Sequence, residues 1–175
     1  MRGRIKWPAR KPLIGWLDTT NRTRVLIIIE TRRFQSKDLK DLAAITEILK
    51  EECGLRKEPF DEKVWNDYLK KRDATLAGRM GTILAVDGGT IAGFVLAEIR
   101  NEITGREYGY VHLPQVKREF KTKCEELLYA EAIKHLRSLK LKEIRTMIPA
   151  SHQLMKSVVM KLHFQQFVLE WQLLG

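Results

Sequence analysis

The chain has 175 residues, of which 44% are hydrophobic and 31% charged, and its formal net charge is +10. This length and composition are typical of one soluble globular domain with a substantial core, and no run reaches the roughly 18 apolar residues that a membrane-spanning helix needs. The basic, proline-interrupted N-terminus lacks the apolar segment of a secretory signal, so we expect a cytoplasmic protein that does not enter a membrane.

The positive charge is concentrated at the N-terminus. Residues 1–24 carry seven basic side chains against one acid, so this basic arm holds +6 and the remaining 151 residues hold +4. Trp7 and Trp16 stand among these charges, which would allow the arm to contact phosphates and stack on bases of a nucleic acid. The alternatives are a solubilising tail, or a strap that packs on its own domain or on the partner in a homodimer. We therefore predict a basic arm at 1–24 and a folded domain at 25–175.

The first predicted elements are a strand and two helices. The apolar run that begins at Val25 predicts a buried strand as far as about Thr31. Ser36 is a typical helix cap, and apolar residues follow it at helical spacing. A second helix is predicted from near Asp61, and the polar stretch 70–80 is predicted to be a connection.

A strand–turn–strand signal follows. Residues 82–86 and 90–99 are apolar runs, and the sequence Asp-Gly-Gly at 87–89 favours a hairpin because these residues tolerate a positive φ. A turn at 101–106 then leads to a third predicted strand at 108–113.

The spacing of apolar residues becomes helical in the last third of the chain. Apolar spacing predicts a long helix over 119–140, followed by a strand at 143–148. Ser151 is predicted to cap a short helix, and a last strand is predicted at 164–173. The order β-α-α-β-β-β-α-β-α-β predicts an α/β fold with a mixed central sheet of about six strands flanked by helices.

Three segments in this order resemble the GNAT superfamily of N-acetyltransferases. The hairpin at 83–94 is similar to the second and third strands of that family, and 116–123 is similar to its fourth strand running into the cofactor loop. Met160-Lys161-Leu162-His163-Phe164 is similar to the junction between its last helix and last strand. The resemblance covers roughly 25–175 and depends on the order of the three segments, since none of them is specific alone.

The resemblance implies acetyl-CoA as the cofactor and an amine, whose identity the sequence does not reveal, as the acceptor. In this family the fourth and fifth strands separate to admit acyl-CoA. A loop of the form (Gln/Arg)-x-x-Gly-x-(Gly/Ala) then begins the next helix and binds the pyrophosphate through backbone N–H groups. A base deprotonates the amine, and a Tyr commonly protonates the leaving thiolate.

This chain departs from that loop pattern. Lys121 stands where Arg or Gln is usual, but Cys124 and Glu126 stand where Gly or Ala is usual. Glu125 and Glu126 also place negative charge where a diphosphate would bind, whereas neighbouring lysines would attract it. The predicted cofactor-binding residues therefore form a degenerate pyrophosphate loop: Val116, Lys117, Lys121, Thr122, Lys123, Cys124 and Glu125.

The resemblance marks the catalytic residues less clearly. His112 lies on the strand that often carries the base in this family, and Glu98 lies on the neighbouring strand, so both are predicted as catalytic. The position of the family's Tyr falls on Val159. No metal site is predicted, because the spacing of His152 and His163 matches no common metal-binding pattern.

Two functions follow as hypotheses. The first is an acetyl-CoA-dependent N-acetyltransferase-like protein with a degenerate pyrophosphate loop. The alternative is a catalytically inactive protein of the same fold that binds nucleic acid or another protein through its basic arm.

Overall fold

The computed structural model describes residues 13–16, 26–35, 39–149 and 152–165. The strands are β1 (Leu13–Trp16), β2 (Leu26–Arg33), β3 (Thr82–Asp87), β4 (Thr90–Asn101), β5 (Glu107–Val111), β6 (Gln115–Val116) and β7 (Ile144–Thr146). The helices are α1 (Leu39–Arg56), α2 (Glu62–Asp73), α3 (Leu76–Gly81), α4 (Lys121–Ser138) and α5 (Gln153–Lys161), and a 3-10 turn (Arg118–Phe120) precedes α4. This arrangement confirms the predicted α/β fold class. The predicted strand at 164–173 lies almost entirely outside the described residues.

The strands form one mixed sheet in the order β1-β2-β3-β4-β5-β7, and β6 pairs with β4. All neighbours are antiparallel except β5 and β7, which are parallel. β1 belongs to the segment predicted as the basic arm, and its Leu13 pairs with Ile29 of β2. At least this part of the arm is therefore built into the sheet.

Helices cover both faces of the sheet and define two apolar clusters. α4 and α5 pack on one face, where Val95, Ala97 and Val111 of the strands lie in the larger cluster. α1 and α2 pack on the other face, over Phe94 and Leu96 of β4. Successive β4 side chains thus alternate between the two clusters, as the two-residue period of a strand requires.

Local signals account for most of the helix and hairpin boundaries. The Asp61 side chain accepts a hydrogen bond from the Val64 N–H and begins α2. Gly88 and Gly89 turn the β3–β4 hairpin with φ values of 52° and 87°, as the Asp-Gly-Gly sequence predicts. The stretch 70–80, predicted as a connection, instead contains most of α3, which is too short to show an apolar period.

The ends of α5 differ from the sequence-based prediction in an informative way. Ser151, the predicted cap, lies outside the described residues, and the His152 ring accepts the Met155 N–H at 3.4 Å instead. His163, which follows α5, has a φ of 64°. That left-handed conformation explains why a glycine is usual there in the family that the sequence resembles.

Within the described ranges, no helix combines the length and apolarity that crossing a membrane requires.

Candidate active site

The sheet opens between β5 and β7. The two strands pair over three positions only, ending at Val111 and Thr146. β6, which continues the course of β5, pairs with β4 alone in the part of the chain that the structure describes. Beyond Val111, therefore, the edge of the strand that faces β7 has no strand neighbour among the described residues.

A β-bulge lies at this opening. Ala97 pairs with Val111, whereas Phe94 pairs with Gln115, so three residues at 112–114 face two residues of β4. Such a bulge bends the strand and redirects the side chains on it. His112 is the first residue of the bulge, and its N–H still donates to the Leu96 carbonyl at 2.9 Å.

At the start of this bulge, His112 lies next to Glu98, the other predicted catalytic residue. Glu98 pairs across the ladder with Tyr110, so His112 is its diagonal neighbour on the same face. His112 Nε2 lies 3.0 Å from Glu98 Oε1. The structure thus unites the two candidates that the sequence assigned to separate strands.

Three further side chains surround the Glu98 carboxylate. Arg100 Nε donates to Oε1 at 2.6 Å, and Arg72 Nη1 donates to Oε2 at 3.0 Å. The Tyr68 hydroxyl lies 3.4 Å from Oε2. Sequence analysis missed Tyr68 and Arg72, although their spacing of four residues on α2 places both on the helix face that packs on β4.

Arg72 is held in place at two points: its guanidinium is hydrogen-bonded, and α3 packs closely against its backbone. Its Nη2 donates to the Ala97 carbonyl at 2.8 Å, and only 8% of the residue is exposed. A Cβ at Gly81 would stand 2.0 Å from that carbonyl, and one at Gly78 would stand 2.0 Å from the Arg72 carbonyl. The two glycines therefore allow α3 to pack closely enough to enclose the arginine.

These partners keep Glu98 ionised. Burial alone would raise its pKa, but hydrogen bonds and charge from His112 and Arg100 outweigh burial and lower the pKa to about 2. A carboxylate with so low a pKa is a poor base near neutral pH. It is, however, well placed to accept a hydrogen bond from the His112 Nε2–H, and in the tautomer that donates from Nε2 the Nδ1 atom is the ring nitrogen that can accept a proton.

Aromatic contacts fix the His112 ring further. Tyr110 meets it edge to face, with ring centroids 5.0 Å apart. The Arg100 guanidinium stacks over the Tyr110 ring, 3.6 Å from its centroid. About one third of the His112 side chain remains exposed, so the ring is held in place yet reachable.

The predicted pyrophosphate loop is helical in the structure. The 3-10 turn runs directly into α4 at Lys121, so residues 121–126 form the first turns of that helix. Lys117 precedes the turn, and its N–H bonds to the Ala92 carbonyl at 2.9 Å. The helix start thus offers charge and a few N–H groups, but no glycine-lined cradle.

The other predicted cofactor-binding residues lie in different surroundings. Val116 and Cys124 are buried in the larger apolar cluster. The Lys121 ammonium pairs with Glu52 of α1 at 3.7 Å. Lys123 is partly buried, and the structure does not describe the Thr122 side chain.

Glu125 is the least expected of this set, because its carboxyl is almost fully buried. Only 2% of the residue is exposed, and Oε2 has no hydrogen-bond partner among the described residues. Oε1 lies 4.0 Å from His152 Nε2. Burial raises the pKa of Glu125 to about 7, against the lowering effect of Lys121, and burial lowers the pKa of His152.

One helical turn further along α4, Tyr129 was also missed by sequence analysis. It is fully buried, and its hydroxyl lies beside that of Thr146, a contact that opposes the rise in the Tyr129 pKa caused by burial. Its position four residues after Glu125 was the available signal, since both face the same side of α4. Val159, where the family's Tyr would stand, is a buried apolar residue.

No family model and no curated protein sequence matches the chain. Solved structures do. An aminoglycoside acetyltransferase from an uncultured soil metagenomic sample superposes with a TM-score of 0.62 at 10% identity, over 84% of this chain and 97% of its own. Glucosamine-6-phosphate N-acetyltransferase from Arabidopsis thaliana gives a TM-score of 0.62 at 9% identity, over 83% and 97%.

A chain of the NatC complex bound to Gag peptide and CoA gives a TM-score of 0.63 at 15% identity, over 77% of this chain and 82% of its own. At these identities the likeness is one of fold.

Proposed function

Since the chain has the fold of the GNAT N-acetyltransferases, we propose that it transfers an acetyl group from acetyl-CoA to an amine. The observation that supports this most directly is the contact between His112 and Glu98 at the bulge beside the opening. A partly exposed histidine, oriented by a carboxylate and placed next to a gap in the sheet, has the geometry of a general base.

The two sides of the opening would serve the two substrates. The Glu98 cluster faces α2, so the amine approaches His112 from the face that α1 and α2 cover. His112 Nδ1 accepts a proton from the attacking amine while Glu98 holds the Nε2–H. Arg72 and Arg100 also donate hydrogen bonds to the Glu98 carboxylate, which hold it in place beside the His112 ring.

The opening suits an extended acyl thioester chain. The edge of 112–116 that faces away from β4 has no strand neighbour in the described part of the chain and so presents backbone groups to a ligand. The diphosphate would lie near the start of α4, where Lys117, Arg118 and Lys121 supply positive charge. Because no glycine allows close backbone approach there, we expect weaker binding of acetyl-CoA than a glycine-lined loop would give.

Isothermal titration with acetyl-CoA, and with CoA alongside, tests the donor site. Lys121→Glu is expected to weaken binding about tenfold through lost attraction to phosphate. Lys134→Glu makes the same charge change on an exposed side chain of the same helix and is expected to leave binding unchanged.

Acetyl transfer to a panel of primary amines tests the reaction itself. Release of free CoA that depends on the amine is the expected result. Absence of binding at millimolar acetyl-CoA would overturn the proposal, and the basic arm at 1–24 would then be the next candidate for the function of this chain.

A further inference from the structure

The buried Glu125 carboxyl belongs to a cluster of charged side chains at the start of α4. Lys121 and Glu125 lie one turn apart on α4, Glu52 and Arg56 come from α1, and His152 caps α5. Lys121 Nζ lies 3.7 Å from Glu52 Oε1, and Arg56 Nη2 lies 3.6 Å from Glu52 Oε2. Three helices therefore bring two acids and two cations together beside the proposed diphosphate site.

The charges of the two acids are compensated to different degrees. Glu52 has a cation beside each of its carboxylate oxygens. Glu125 Oε2, by contrast, makes no hydrogen bond within the described residues, and Oε1 lies 4.0 Å from His152 Nε2, which is too far for a hydrogen bond. Only 2% of Glu125 is exposed, so its carboxyl is also shielded from bulk water. Because an ionised carboxylate is unfavourable in such surroundings, Glu125 is the member of the cluster that takes up a proton.

The other titratable groups next to Glu125 stay neutral near pH 7. Burial lowers the pKa of the His152 ring, and the two cations of the cluster lower it further. Burial raises the pKa of the Cys124 thiol to about 12, and the charges of Asp87 on β3 and of Glu125 add to that rise. A change of charge at the start of α4 near neutral pH is therefore a change at Glu125.

The side chain of Glu125 lies close to where an anion would bind. Side chains on a helix lean toward its N-terminus, so Glu125 lies over the turn that begins at Lys121. The charge of Lys121 accordingly opposes the rise in the Glu125 pKa that burial causes. Phe120, at the N-cap, makes no side-chain hydrogen bond and so supplies no acceptor for the N–H groups of the first turn. These N–H groups and Lys121 attract an anion, whereas an ionised Glu125 repels it.

We propose that acetyl-CoA binds at the start of α4 together with one proton, which Glu125 takes up from solvent and returns when the cofactor leaves. This inference rests on the proposed acetyl transfer. The proton is added to a carboxylate oxygen of Glu125, so the cluster becomes more positive by one charge when the diphosphate arrives. The affinity for the cofactor then depends on pH through a side chain that takes no part in the chemical step.

The pKa of Glu125, which burial raises to about 7, sets the range in which this coupling is visible. Well below pH 7 the free protein already holds the proton, so binding adds none. Well above pH 7 the protonated fraction falls about tenfold for each unit of pH, and the Kd for acetyl-CoA rises by the same factor. The phosphates of the cofactor are almost fully ionised in this range, because the second pKa of a phosphate monoester is about 6.

Isothermal titration with acetyl-CoA at pH 7, 8 and 9 tests the coupling. We expect the Kd of the wild-type protein to rise roughly 50-fold from pH 7 to pH 9. Glu125→Gln keeps the size of the side chain but cannot ionise, so its Kd should change less than about twofold. Glu126→Gln is the matched control, because it removes the charge of the exposed neighbouring carboxyl and should keep the wild-type dependence on pH.

A count of protons tests the same proposal on the wild-type protein alone. Titrations at pH 8 in two buffers with different heats of ionisation give the number of protons taken up with each acetyl-CoA. The wild-type protein should take up close to one proton, and Glu125→Gln should take up none. Binding without proton uptake, or the same dependence of Kd on pH in both proteins, would overturn the proposal and leave acetyl transfer intact.

Failure of the proposed function gives a different result. If acetyl-CoA binds with uptake of a proton but no amine is acetylated, acetyl transfer fails and the proton-linked site stands. If millimolar acetyl-CoA does not bind even at pH 6, where most of the Glu125 carboxyl is protonated, both fail.

Discussion

Arg72 on α2 and Glu98 on β4 form an ion pair that joins a helix to the sheet, with Arg72 Nη1 3.0 Å from Glu98 Oε2. The arginine side chain is 8% exposed and the glutamate side chain 21%. Removing one partner of so enclosed a pair is destabilising, because the charge of the other partner stays buried without compensation.

Arg72→Met is therefore expected to destabilise the fold by about 2–4 kcal/mol, as measured by urea unfolding. Lys50→Met is the matched control on α1, since Lys50 pairs with Glu47 at 3.8 Å in an exposed position, and it should cost less than about 0.5 kcal/mol. Equal losses of unfolding free energy in the two variants would show that the enclosed Arg72 pair stabilises the fold no more than an exposed pair does.

The low pKa of Glu98 makes a prediction about acid stability. Its folded pKa of about 2 lies below the ordinary 4.5, so the unfolded chain binds this proton first as pH falls. The ionised Glu98 carboxylate therefore contributes fully to the free energy of unfolding above about pH 4.5, and this contribution is lost as pH falls toward 2. Glu98→Gln should be less stable than wild type at neutral pH, and the gap should narrow within that window. A gap that is independent of pH would contradict this account.

His112→Ala should lower kcat by about 100-fold or more if the ring accepts the amine proton. Added imidazole should restore part of the rate, which a purely structural defect would not allow. Glu98→Gln keeps a hydrogen-bond acceptor for the ring and should lose less, about tenfold. His163→Gly, at an exposed position beyond α5, serves as the control and should retain full activity.

The buried Glu125 carboxyl should give folding stability the opposite pH dependence to that of Glu98. Its folded pKa of about 7 lies above the ordinary 4.5, so the folded state holds this proton more tightly than the unfolded chain. Stability from this group is present below about pH 4.5 and is lost as pH rises through 7.

Glu125→Gln mimics the protonated side chain and should match wild type in acid but exceed its thermal stability above about pH 7. The neighbouring Glu126 is exposed, so Glu126→Gln should show no such difference. Wild-type stability for Glu125→Gln across the whole range would mean that the carboxyl is not buried in solution.

Replacing Gly81 of α3 or Gly54 of α1 with alanine should change the stability of the protein in opposite directions. A Cβ at Gly81 would stand 2.0 Å from the Ala97 carbonyl, so Gly81→Ala should cost about 3 kcal/mol and disturb Arg72 and Glu98. Gly54 lies in α1 with nothing within 4 Å of the added atom. Gly54→Ala should therefore stabilise the protein by roughly 0.5–1 kcal/mol through helix propensity. Thermal unfolding of the two variants side by side checks both signs.

The sequence by itself determined most of the elements and their order, but not β1, α3 or the short β6. The Asp-Gly-Gly turn, the Asp61 cap and the apolar spacing of α1 and α4 are local signals, because they depend on residues within a few positions of one another. From their order the α/β class followed, together with the two strands that carry His112 and Glu98.

Only the tertiary structure decided which side chains meet. Glu98 and His112 are 14 residues apart, and their contact depends on strand register, which leaves no local mark in the sequence. The burial of Glu125 and Tyr129 likewise depends on how α4 docks against the sheet and α5. Whether a polar side chain is a surface charge or part of a site is set by what packs over it, and that information is not local to the residue.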